Sequence, residues 1–555
     1  LRDLRALFDR YGYTPAMFGH FGEGCVHAHV DFDLHSAGGI AAWRRFLEDA
    51  ADLVVSYGGS LSGEHGDGRA RSFLYPRMFG DQLVEAFRSF KAIWDPEGRM
   101  NPGRIVDPLP FDEQLRLGAG HRPARPATRF AFGAGGLSGE VDRCVGLGAC
   151  RRFSGGTMCP SYRVTREEMH STRGRARLLF EMLEGEVIGD GWRSAEVRRA
   201  LDLCLSCKAC RTECPTGIDM AAYKAEFLSH HYRGRLRPRA AYAMGLFPQW
   251  GRVAALAPRA VNAVTGGAAT GGLVKALAGV APERRIPAFA TWSFLDWFRG
   301  RLPAGGGPRV VLWPDTFNAL LHPEILCAAV EVLEDAGYGV QVPAEPVCCG
   351  RPLYDFGMLR AARRRLLRLL DGLEAVIGEG VPVVVLEPSC LSVFRDELPG
   401  LLPADPRALR LAALAVSLAE LLVRGGYRPP PVGGGAVYHG HCHQKALAGR
   451  SGPEPGPEAA LLAAAGVETA ELDAGCCGMA GAFGFDRERY EVSMRIGELA
   501  LLPAVRATPP GNLVVADGFS CREQILQATG RRALHTGEVL RAGLPSRSRG
   551  GPPAG

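Results

Sequence analysis

The hydrophobic pattern of the second half of the chain predicts short buried strands that alternate with helices. Valine-rich runs such as VVLW at 310–313 and VVVL at 383–386 are too short to be helices, and segments with helical periodicity separate them. Similar runs, AVY and LVV, recur farther along the chain. Because strands and helices that alternate in this way build parallel sheets, we predict two α/β units, at residues 306–430 and 431–545.

These two units repeat one arrangement of cysteines, and we call them the first and second cysteine-rich segments. In each, a Cys-Cys-Gly triplet follows the second strand and a Ser-Cys pair follows the third. Open α/β sheets bind ligands at the carboxyl ends of their strands, where these thiols fall. The candidate ligands are Cys348, Cys349 and Cys390 in the first segment and Cys442, Cys476, Cys477 and Cys521 in the second.

The two segments differ in the number of thiols they offer. The second has enough thiolates for a metal or a cluster, whereas the first has Trp313 and Pro314 where the leading cysteine would stand. Three histidines flank Cys442 and could add ligands, although at least one of them is expected to be a polar residue at a strand end. These histidines are His439, His441 and His443.

The first part of the chain shows a different pattern, in which two glycine-rich stretches carry histidines and a glutamate. The run CVHAHVD alternates as a strand does, so His27 and His29 share one face, and His20 can reach the same point from the turn before it. A second loop places Glu64 beside His65. Two histidines and a carboxylate suit Zn²⁺, Mn²⁺ or Fe²⁺ with a position open for substrate. Histidines that only make structural hydrogen bonds are the alternative.

The stretch CLSCKACRTECP at 204–215 reads C-x2-C-x2-C-x3-C-P, the run that holds [4Fe–4S] clusters in bacterial ferredoxins. A structural zinc site, which needs only two C-x2-C pairs, is the less favoured alternative. In two-cluster ferredoxins the fourth cysteine of each run binds the other cluster. On that basis one cubane is predicted on Cys159, Cys204, Cys207 and Cys210.

A second cluster would have only three cysteine ligands, Cys144, Cys150 and Cys214, because Leu147 stands where a fourth is expected. The C-x5-C spacing of the first two resembles the three-iron cluster motif of the iron–sulfur subunit of succinate dehydrogenase. Three outcomes therefore stay open: a [3Fe–4S] cluster, a [4Fe–4S] cluster with one ligand that is not cysteine, or no second cluster.

Two helical stretches carry many arginines. The helix predicted from Ser171 onward is either a docking surface or, more commonly for such a pattern, a solvated helix. Residues 236–305 form a basic connector in which Pro and Gly break any long amphipathic face. Short helices packed on neighbouring domains are therefore favoured there over a role at a membrane surface.

Composition limits the possible classes of protein. A chain of 555 residues should form three or more domains, and a net charge of +6 with scattered Lys and Arg gives no reason to expect nucleic acid. The 16 cysteines fall in metal-type spacings and adjacent pairs, so we expect a reducing compartment and no disulfide framework. No apolar run is long enough to span a membrane. The chain begins at Leu1 inside a helical pattern, so we expect an amino-terminal part to be missing, and a targeting segment stays open.

Three segments, GHFGEGCVHAHVDFD, SGEHGDG and KAIWDPEGRMNPGRI, resemble the C-terminal domain of flavin-linked 2-hydroxyacid dehydrogenases. That family includes D-lactate, glycolate and D-2-hydroxyglutarate dehydrogenases. The resemblance implies a divalent metal on His20, His27 and Glu64, a proton-accepting role for His65, and a place near the flavin for Asn101. The flavin-binding domain of the family has no counterpart in this sequence.

The sequence departs from the family pattern at two positions. Cys25 and His29 stand where asparagines are usual. His29 is either a contact to substrate or metal, or a strand residue that faces a polar core, and both readings stay open.

The rest of the chain resembles other redox proteins. The block CPSY with TREEMHSTRGRA resembles bacterial enzymes that fuse a flavin half and an iron–sulfur half in one chain. Both cysteine-rich segments resemble the CCG domain of heterodisulfide reductase and of the iron–sulfur subunits of anaerobic glycerol-3-phosphate dehydrogenase and glycolate oxidase. In the heterodisulfide reductase family such cysteines hold an unusual [4Fe–4S] centre that a C-x2-C pair closes. Here each segment ends in a single cysteine, which puts that chemistry in doubt.

We therefore expect an α+β multidomain chain: a flavin-oxidase C-terminal α+β domain, an all-α ferredoxin-like domain and two α/β CCG repeats. The predicted segments are a flavin-oxidase domain at 1–118, a linker at 119–135, a ferredoxin-type segment at 136–235, a connector at 236–305, the two cysteine-rich segments at 306–430 and 431–545, and a tail at 546–555.

The predicted activity is oxidation of a D-2-hydroxy acid, D-lactate or D-2-hydroxyglutarate, with electrons leaving through FAD and iron–sulfur clusters to an acceptor other than NAD. The expected cofactors are FAD, one [4Fe–4S] cluster with a second left open, and a divalent metal (Zn, Mn or Fe). The expected acceptor is a quinone or an electron carrier. A cytoplasmic location is expected, with peripheral attachment to the inner face of the membrane and homo-oligomer formation left open. The alternative is a stand-alone iron–sulfur subunit that serves a separate flavoprotein, against which the metal and base residues argue.

Overall fold

The computed structural model describes residues 1–301, 306–345, 347–448 and 456–545. The predicted tail at 546–555 lies outside the described residues. The chain divides into two compact units, one of residues 1–123 and one that begins at Ala124, and each is described by itself.

The first unit combines long helices with one antiparallel hairpin. Strands β1 (Ala16–His20) and β2 (Cys25–His29) pair so that Phe18 lies opposite His27 and His20 lies opposite Cys25. His20 therefore ends a strand, and the prediction that placed it in a turn is wrong, because residues 16–20 extend before the glycines. The α-helices of this unit are Arg2–Tyr11, Ala37–Ser56, Gly68–Arg71 and Tyr75–Trp94. This mixture agrees with the expected α+β class.

The ferredoxin-type segment, residues 136–235, is described throughout and contains helices but no strand, as predicted. Its core mixes aliphatic side chains with the cysteines of both predicted clusters. The α-helices are Gly136–Asp142, Pro160–Thr165, Thr172–Glu184, Ala195–Asp202, Ala209–Glu213 and Met220–His231. The side chain of Ser171 accepts a hydrogen bond from Gly174 and so starts the third of these helices where the sequence predicted it.

The connector folds into short helices, because prolines and glycines interrupt its apolar periodicity. The α-helices are Arg239–Ala243, Phe247–Ala254, Pro258–Gly266, Ala268–Ala278 and Phe294–Arg299. Phe247 stacks on Phe317 of the first cysteine-rich segment, which agrees with the prediction of packing on a neighbour. Several leucines of the connector nevertheless remain exposed, Leu236 at 88% and Leu256 at 84% of their surface.

The two cysteine-rich segments contain parallel sheets with the same strand order. In the first, β3 (Arg309–Trp313) lies between β4 (Gly339–Gln341) and β5 (Val383–Val385), and the short β6 (Ala415–Val416) adds a fourth strand beside β5. In the second, β7 (Gly435–Tyr438) lies between β8 (Glu468–Glu471) and β9 (Leu513–Val515). The first strand is therefore central in both, so the predicted repeat of two α/β units is present in the fold.

Helices cover the two sheets. In the first segment the α-helices are Thr316–Leu321, Pro323–Asp335, Arg351–Asp355, Leu359–Gly372, Glu374–Glu379, Pro388–Ser392, Leu398–Leu401, Pro406–Leu414 and Leu418–Arg424. In the second they are Cys442–Ala448, Pro457–Ala464, Tyr490–Gly497, Leu501–Ala507, Phe519–Thr529 and Thr536–Ala542. One continuous core joins the two segments, since Leu312, Val384 and Val515 belong to the same buried cluster.

Candidate metal and iron–sulfur sites

In the first unit, the carboxylate of Glu64 gathers three histidines around it. His27 Nε2 lies 2.6 Å and His65 Nε2 lies 3.6 Å from Glu64 Oε1, while His20 Nε2 lies 3.9 Å from Oε2. The hairpin supplies His20 and His27, and the loop after helix Ala37–Ser56 supplies Glu64 and His65. The structure thus brings together the four residues that the sequence assigned to metal binding and proton transfer.

Cys25 joins this group, and the sequence reasoning did not count it among the ligands. Within the described residues, the one group of three or more metal-type donors with all donor atoms within 4.8 Å of one another is Cys25, His27 and Glu64. Imidazole, thiolate and carboxylate are all donors that Zn²⁺ accepts. The departure from the family pattern at position 25 was the signal that could have revealed this donor.

Two further residues of this unit had been singled out. His29 is exposed and packs edge-on against Phe18, at 4.9 Å between ring centroids, so the reading of a residue that faces a polar core is wrong. Asn101 has a left-handed backbone, with φ of 48°, in a turn that Asp95 and Lys91 hold through the neighbouring Met100. A role for Asn101 near the flavin remains a prediction.

In the ferredoxin-type segment, four thiols line one cavity. Its lining includes Cys159, Cys204, Cys207 and Cys210, the set predicted for one cubane. These thiols are not gathered tightly enough to act as ligands of a single ion in the described part of the chain. Soft thiolates placed around a shared cavity are the donor set of an iron–sulfur cluster, so the residues fit the cluster and not a single zinc ion.

Arg175 touches this cavity and was not predicted. It comes from helix Thr172–Glu184, is 1% exposed and donates hydrogen bonds from Nη1 to Cys159 Sγ at 3.3 Å and from Nη2 to Ser161 Oγ at 2.9 Å. The reading of this arginine-rich helix as solvated is therefore wrong for Arg175. A positive donor next to a ligand sulfur favours added negative charge on a cluster.

The three cysteines proposed for a second cluster are less regularly arranged. Cys150 lies near Cys144 and also near Cys159, and burial is the main cause that raises the pKa of the Cys150 thiol. Cys214 instead bonds to Thr216 Oγ1, at 3.3 Å. All three belong to the core of the segment, so they are close enough to matter but do not define a second cavity of their own.

The second cysteine-rich segment holds a row of four buried thiols. Hydrogen bonds link Cys442 to Cys476, Cys476 to Cys477, and Cys477 to Cys521. The bond from Cys476 lowers the pKa of Cys442 to about 5. Burial opposes charge on His441, but the adjacent Cys442 thiolate raises the pKa of this imidazole to about 9.

Buried histidine nitrogens without partners also fit a metal or cluster in this segment. His439 is 1% exposed, and neither of its ring nitrogens has a hydrogen-bond partner. Burial lowers its pKa to about 3, so its ring is neutral and able to act as a ligand. His443 differs, because its Nε2 lies 3.0 Å from the carbonyl oxygen of Ser206 and serves as a structural contact.

The first cysteine-rich segment has three buried thiols in a row. Cys349 Sγ lies 3.0 Å from Cys390 Sγ, and Cys348 bonds to Cys349. The bond from Cys349 favours the Cys390 thiolate, but burial and the nearby Asp315 and Glu387 raise the pKa of Cys390 to about 12. Without a cation these thiols therefore stay protonated. Trp313 packs in the same core, as expected for the place of the missing cysteine.

Cys207 connects the ferredoxin-type segment to the second cysteine-rich segment. It lines the cluster cavity together with Cys204, and it also lines a neighbouring cavity with Cys442, Cys476 and Cys477. Burial is the main cause that raises the pKa of Cys207, and the nearby Cys442 raises it further. The two sulfur sites therefore share a wall.

Comparison with known proteins agrees with this geometry. Residues 1–105 match the C-terminal domain of FAD linked oxidases, residues 140–218 match the 4Fe-4S dicluster domain, and residues 436–521 match the cysteine-rich domain called CCG. The chain is therefore built from domains of FAD-linked, iron–sulfur oxidoreductases.

The relatives of this FAD-linked, iron–sulfur chain include enzymes with names. A D-2-hydroxyglutarate dehydrogenase of Escherichia coli K12 is 27% identical, and one of Pseudomonas putida KT2440 is 29% identical. Each alignment covers 97% of this chain and 57% of the relative, so the chain spans a little over half of their length. One of the subunits of the anaerobic glycerol-3-phosphate dehydrogenase of E. coli K12 is 29% identical over 47% of this chain and 66% of that protein.

Two consequences follow for this oxidoreductase chain. The CCG match covers the second cysteine-rich segment, and the shared strand order extends the same architecture to the first. Among the described helices, none combines the length and apolar character that crossing a bilayer requires.

Proposed function

We propose that the protein containing this chain oxidises a D-2-hydroxy acid to the 2-oxo acid and passes the electrons through iron–sulfur centres. The observation that carries the proposal is the presence, in one chain, of a histidine–carboxylate group and a four-thiol cavity. D-2-Hydroxyglutarate is the first candidate substrate, because relatives of that name align with 97% of the chain. D-Lactate is the second.

The residues of the first unit suit proton removal from an alcohol. His27 and Glu64, with His20 beside them, offer nitrogen and oxygen donors to a divalent metal, which when bound lowers the pKa of a substrate hydroxyl. His65 lies on the same carboxylate with 67% of its side chain exposed, so it can reach a substrate and accept its hydroxyl proton. FAD supplies the hydride acceptor in this chemistry.

The second unit suits the removal of electrons one at a time. Cys159, Cys204, Cys207 and Cys210 would hold one [4Fe–4S] cluster, and Cys144, Cys150 and Cys214 are the candidates for a second. The wall formed by Cys207 supports onward transfer to a centre on the Cys442 side. The three thiols at Cys348, Cys349 and Cys390 are candidates for a further centre, which the same experiments address.

The acceptor is proposed to be a quinone or an electron carrier, reached from a peripheral position on a membrane. Residues 227–282 contain six Arg and one Lys but no Asp or Glu. Leu273 and Leu277 of helix Ala268–Ala278 are each 62% exposed. Basic and apolar side chains on short surface helices are what anionic lipid surfaces attract. The sixteen unpaired cysteines support a reducing compartment.

The test is anaerobic flavin reduction in the intact protein. D-2-Hydroxyglutarate or D-lactate should bleach the flavin absorbance, and the L-enantiomers should not. His65→Ala should slow this bleaching by at least about 100-fold, because the proton acceptor is lost, with bound metal unchanged. His35→Ala is the matched control, since His35 is exposed and does not contact Glu64. Normal bleaching in His65→Ala would reject His65 as the base.

The alternative, a stand-alone electron-transfer protein, is supported by the match of the second half to one polypeptide of another dehydrogenase. A pure carrier has no use for a base beside a metal site, so the grouping of His65 with Glu64 favours the enzyme. Failure of every 2-hydroxy acid to reduce the flavin, with clusters intact, would favour the carrier.

A further inference from the structure

We propose that Cys25 supplies a thiolate ligand to the divalent metal held at Glu64, and that this thiolate makes the site selective for Zn²⁺ over Mn²⁺. The inference rests on the proposed function only in that a metal binds at Glu64. It replaces the expected set of His20, His27 and Glu64 by one whose centre is Cys25, His27 and Glu64.

The donor geometry carries the argument. Cys25 Sγ lies 4.0 Å and His27 Nε2 lies 2.6 Å from Glu64 Oε1, and the three donor atoms all fall within 4.8 Å of one another. His20 reaches only the other carboxylate oxygen, at 3.9 Å, and is not part of that compact group. An ion placed against Glu64 Oε1 would thus meet the sulfur before it meets His20.

The hairpin and the neighbouring loop both make room for the sulfur. Cys25 and His27 are two residues apart on β2, so their side chains leave the strand on the same face. Gly63 packs against Cys25, and a Cβ at Gly63 would come within 2.8 Å of Cys25 Sγ. The residue before Glu64 therefore has no side chain where the thiol lies, which lets the carboxylate and the thiol approach together.

The chemistry of the donors predicts the selectivity. A thiolate is a soft ligand that Zn²⁺ accepts at about 2.3 Å, whereas Mn²⁺ prefers carboxylate and water oxygens. Binding would release the Cys25 thiol proton to solvent and form one sulfur–metal bond, with no change in oxidation state. The side chain is half-buried, so in the metal-free protein it stays open to small reagents.

The test is site-resolved alkylation of the full chain with iodoacetamide, read at the Cys25 peptide by mass spectrometry so that the other fifteen cysteines do not interfere. Saturating Zn²⁺ should slow Cys25 alkylation at least about tenfold, and Mn²⁺ at the same concentration should slow it less than about threefold. Zn²⁺ should give no protection in His27→Ala, which removes a second ligand but leaves the thiol in place.

A second measurement keeps the proposal separate from the proposed function. Cys25→Ser and Cys25→Asn should each weaken Zn²⁺ binding, measured as the Glu64→Gln-sensitive part of a calorimetric titration, by at least about tenfold. If that part is unchanged in Cys25→Ser, or if Cys25 is alkylated at full rate with zinc bound, the thiolate assignment is wrong while a histidine–glutamate metal site survives. If no Glu64-dependent binding exists in the unaltered chain, the metal step of the proposed function fails as well.

Discussion

Arg175 is the residue that most directly adjusts the cluster chemistry of this protein. Its guanidinium is buried and divides its donors between Cys159 Sγ, Ser161 Oγ and the carbonyl oxygen of Ala200. A hydrogen bond that ends on a ligand sulfur stabilises the more negative, reduced cluster. The same contact fixes the direction in which Cys159 points.

Replacing this arginine should therefore make the cluster harder to reduce. Arg175→Met should lower its reduction potential by on the order of tens of millivolts, because a positive donor to the sulfur is lost. Arg175→Lys, which keeps the charge, should lower it less. An EPR-monitored redox titration of both variants measures the shift, and a potential equal to that of the unaltered protein in Arg175→Met would show that the contact does not tune the cluster.

At this scale the sequence was informative about ligands and silent about their neighbours. Cysteine spacing predicted the set that lines the cluster cavity, because the run C-x2-C-x2-C-x3-C-P carries the ligand geometry within a few residues. It could not show that Arg175, one of several arginines on its helix, turns inward, since that depends on what packs against the helix. Cys25 was noticed as a departure, but its closeness to Glu64 depends on a loop almost forty residues away.

The repeated Cys-Cys-Gly element shows how two similar segments place different demands on the same residue. Gly350 and Gly478 both have φ of 89°, a backbone region in which residues with a Cβ are strained. Around Gly350 the nearest atom to an added Cβ would be Ala362 Cα at 3.9 Å, whereas around Gly478 it would be the Ser493 carbonyl oxygen at 2.1 Å. The turn is equally bent in both segments but tightly packed only in the second.

The matched pair Gly350→Ala and Gly478→Ala tests this difference. Gly350→Ala should cost about 1–2 kcal/mol of unfolding free energy from backbone strain alone. Gly478→Ala should cost clearly more, because the helix that contains Ser493 must also move, and it should disturb the thiols beside it. Thermal unfolding with iron analysis measures both effects, and equal destabilisation would contradict the packing argument.

Elements with strong local signals were predicted and those without them were missed. The valine-rich central strands and the repeat were evident from the pattern, because buried parallel strands read as continuous apolar runs. Strand β1 was missed because its five residues mix Gly and His with apolar residues, and its partner strand defines it. The two-residue β6 likewise exists only through its pairing with β5.

At the scale of the second unit, buried charges join the ferredoxin-type turn to the first cysteine-rich segment. Lys208 and Arg351 both end on Glu397, at 3.1 Å and 2.7 Å, and the Glu397 side chain is 1% exposed. Arg351 also donates to the carbonyl oxygen of Ser206, next to the cluster ligand Cys207. One carboxylate thus holds the cluster turn against the neighbouring sheet. The sequence could not predict these long-range pairs, because nothing local marks a buried partner.

Glu397→Gln should destabilise this unit by about 3 kcal/mol, because two buried cations lose their shared counter-charge. The control is Glu379→Gln, which breaks an exposed pair with Arg309 and should cost less than about 1 kcal/mol. Chemical denaturation gives both values. Equal small losses in the two variants would show that Glu397 does not hold the segments together.

The most direct test of the whole account is reduction of the clusters by substrate, followed by EPR. Anaerobic D-2-hydroxyglutarate should produce in the intact protein the signal of a reduced iron–sulfur cluster that dithionite also produces. His65→Ala should lose the substrate-induced signal and keep the dithionite signal. A protein that forms 2-oxo acid while its dithionite-reducible clusters stay oxidised would contradict the claim that alcohol oxidation and the sulfur sites form one electron path.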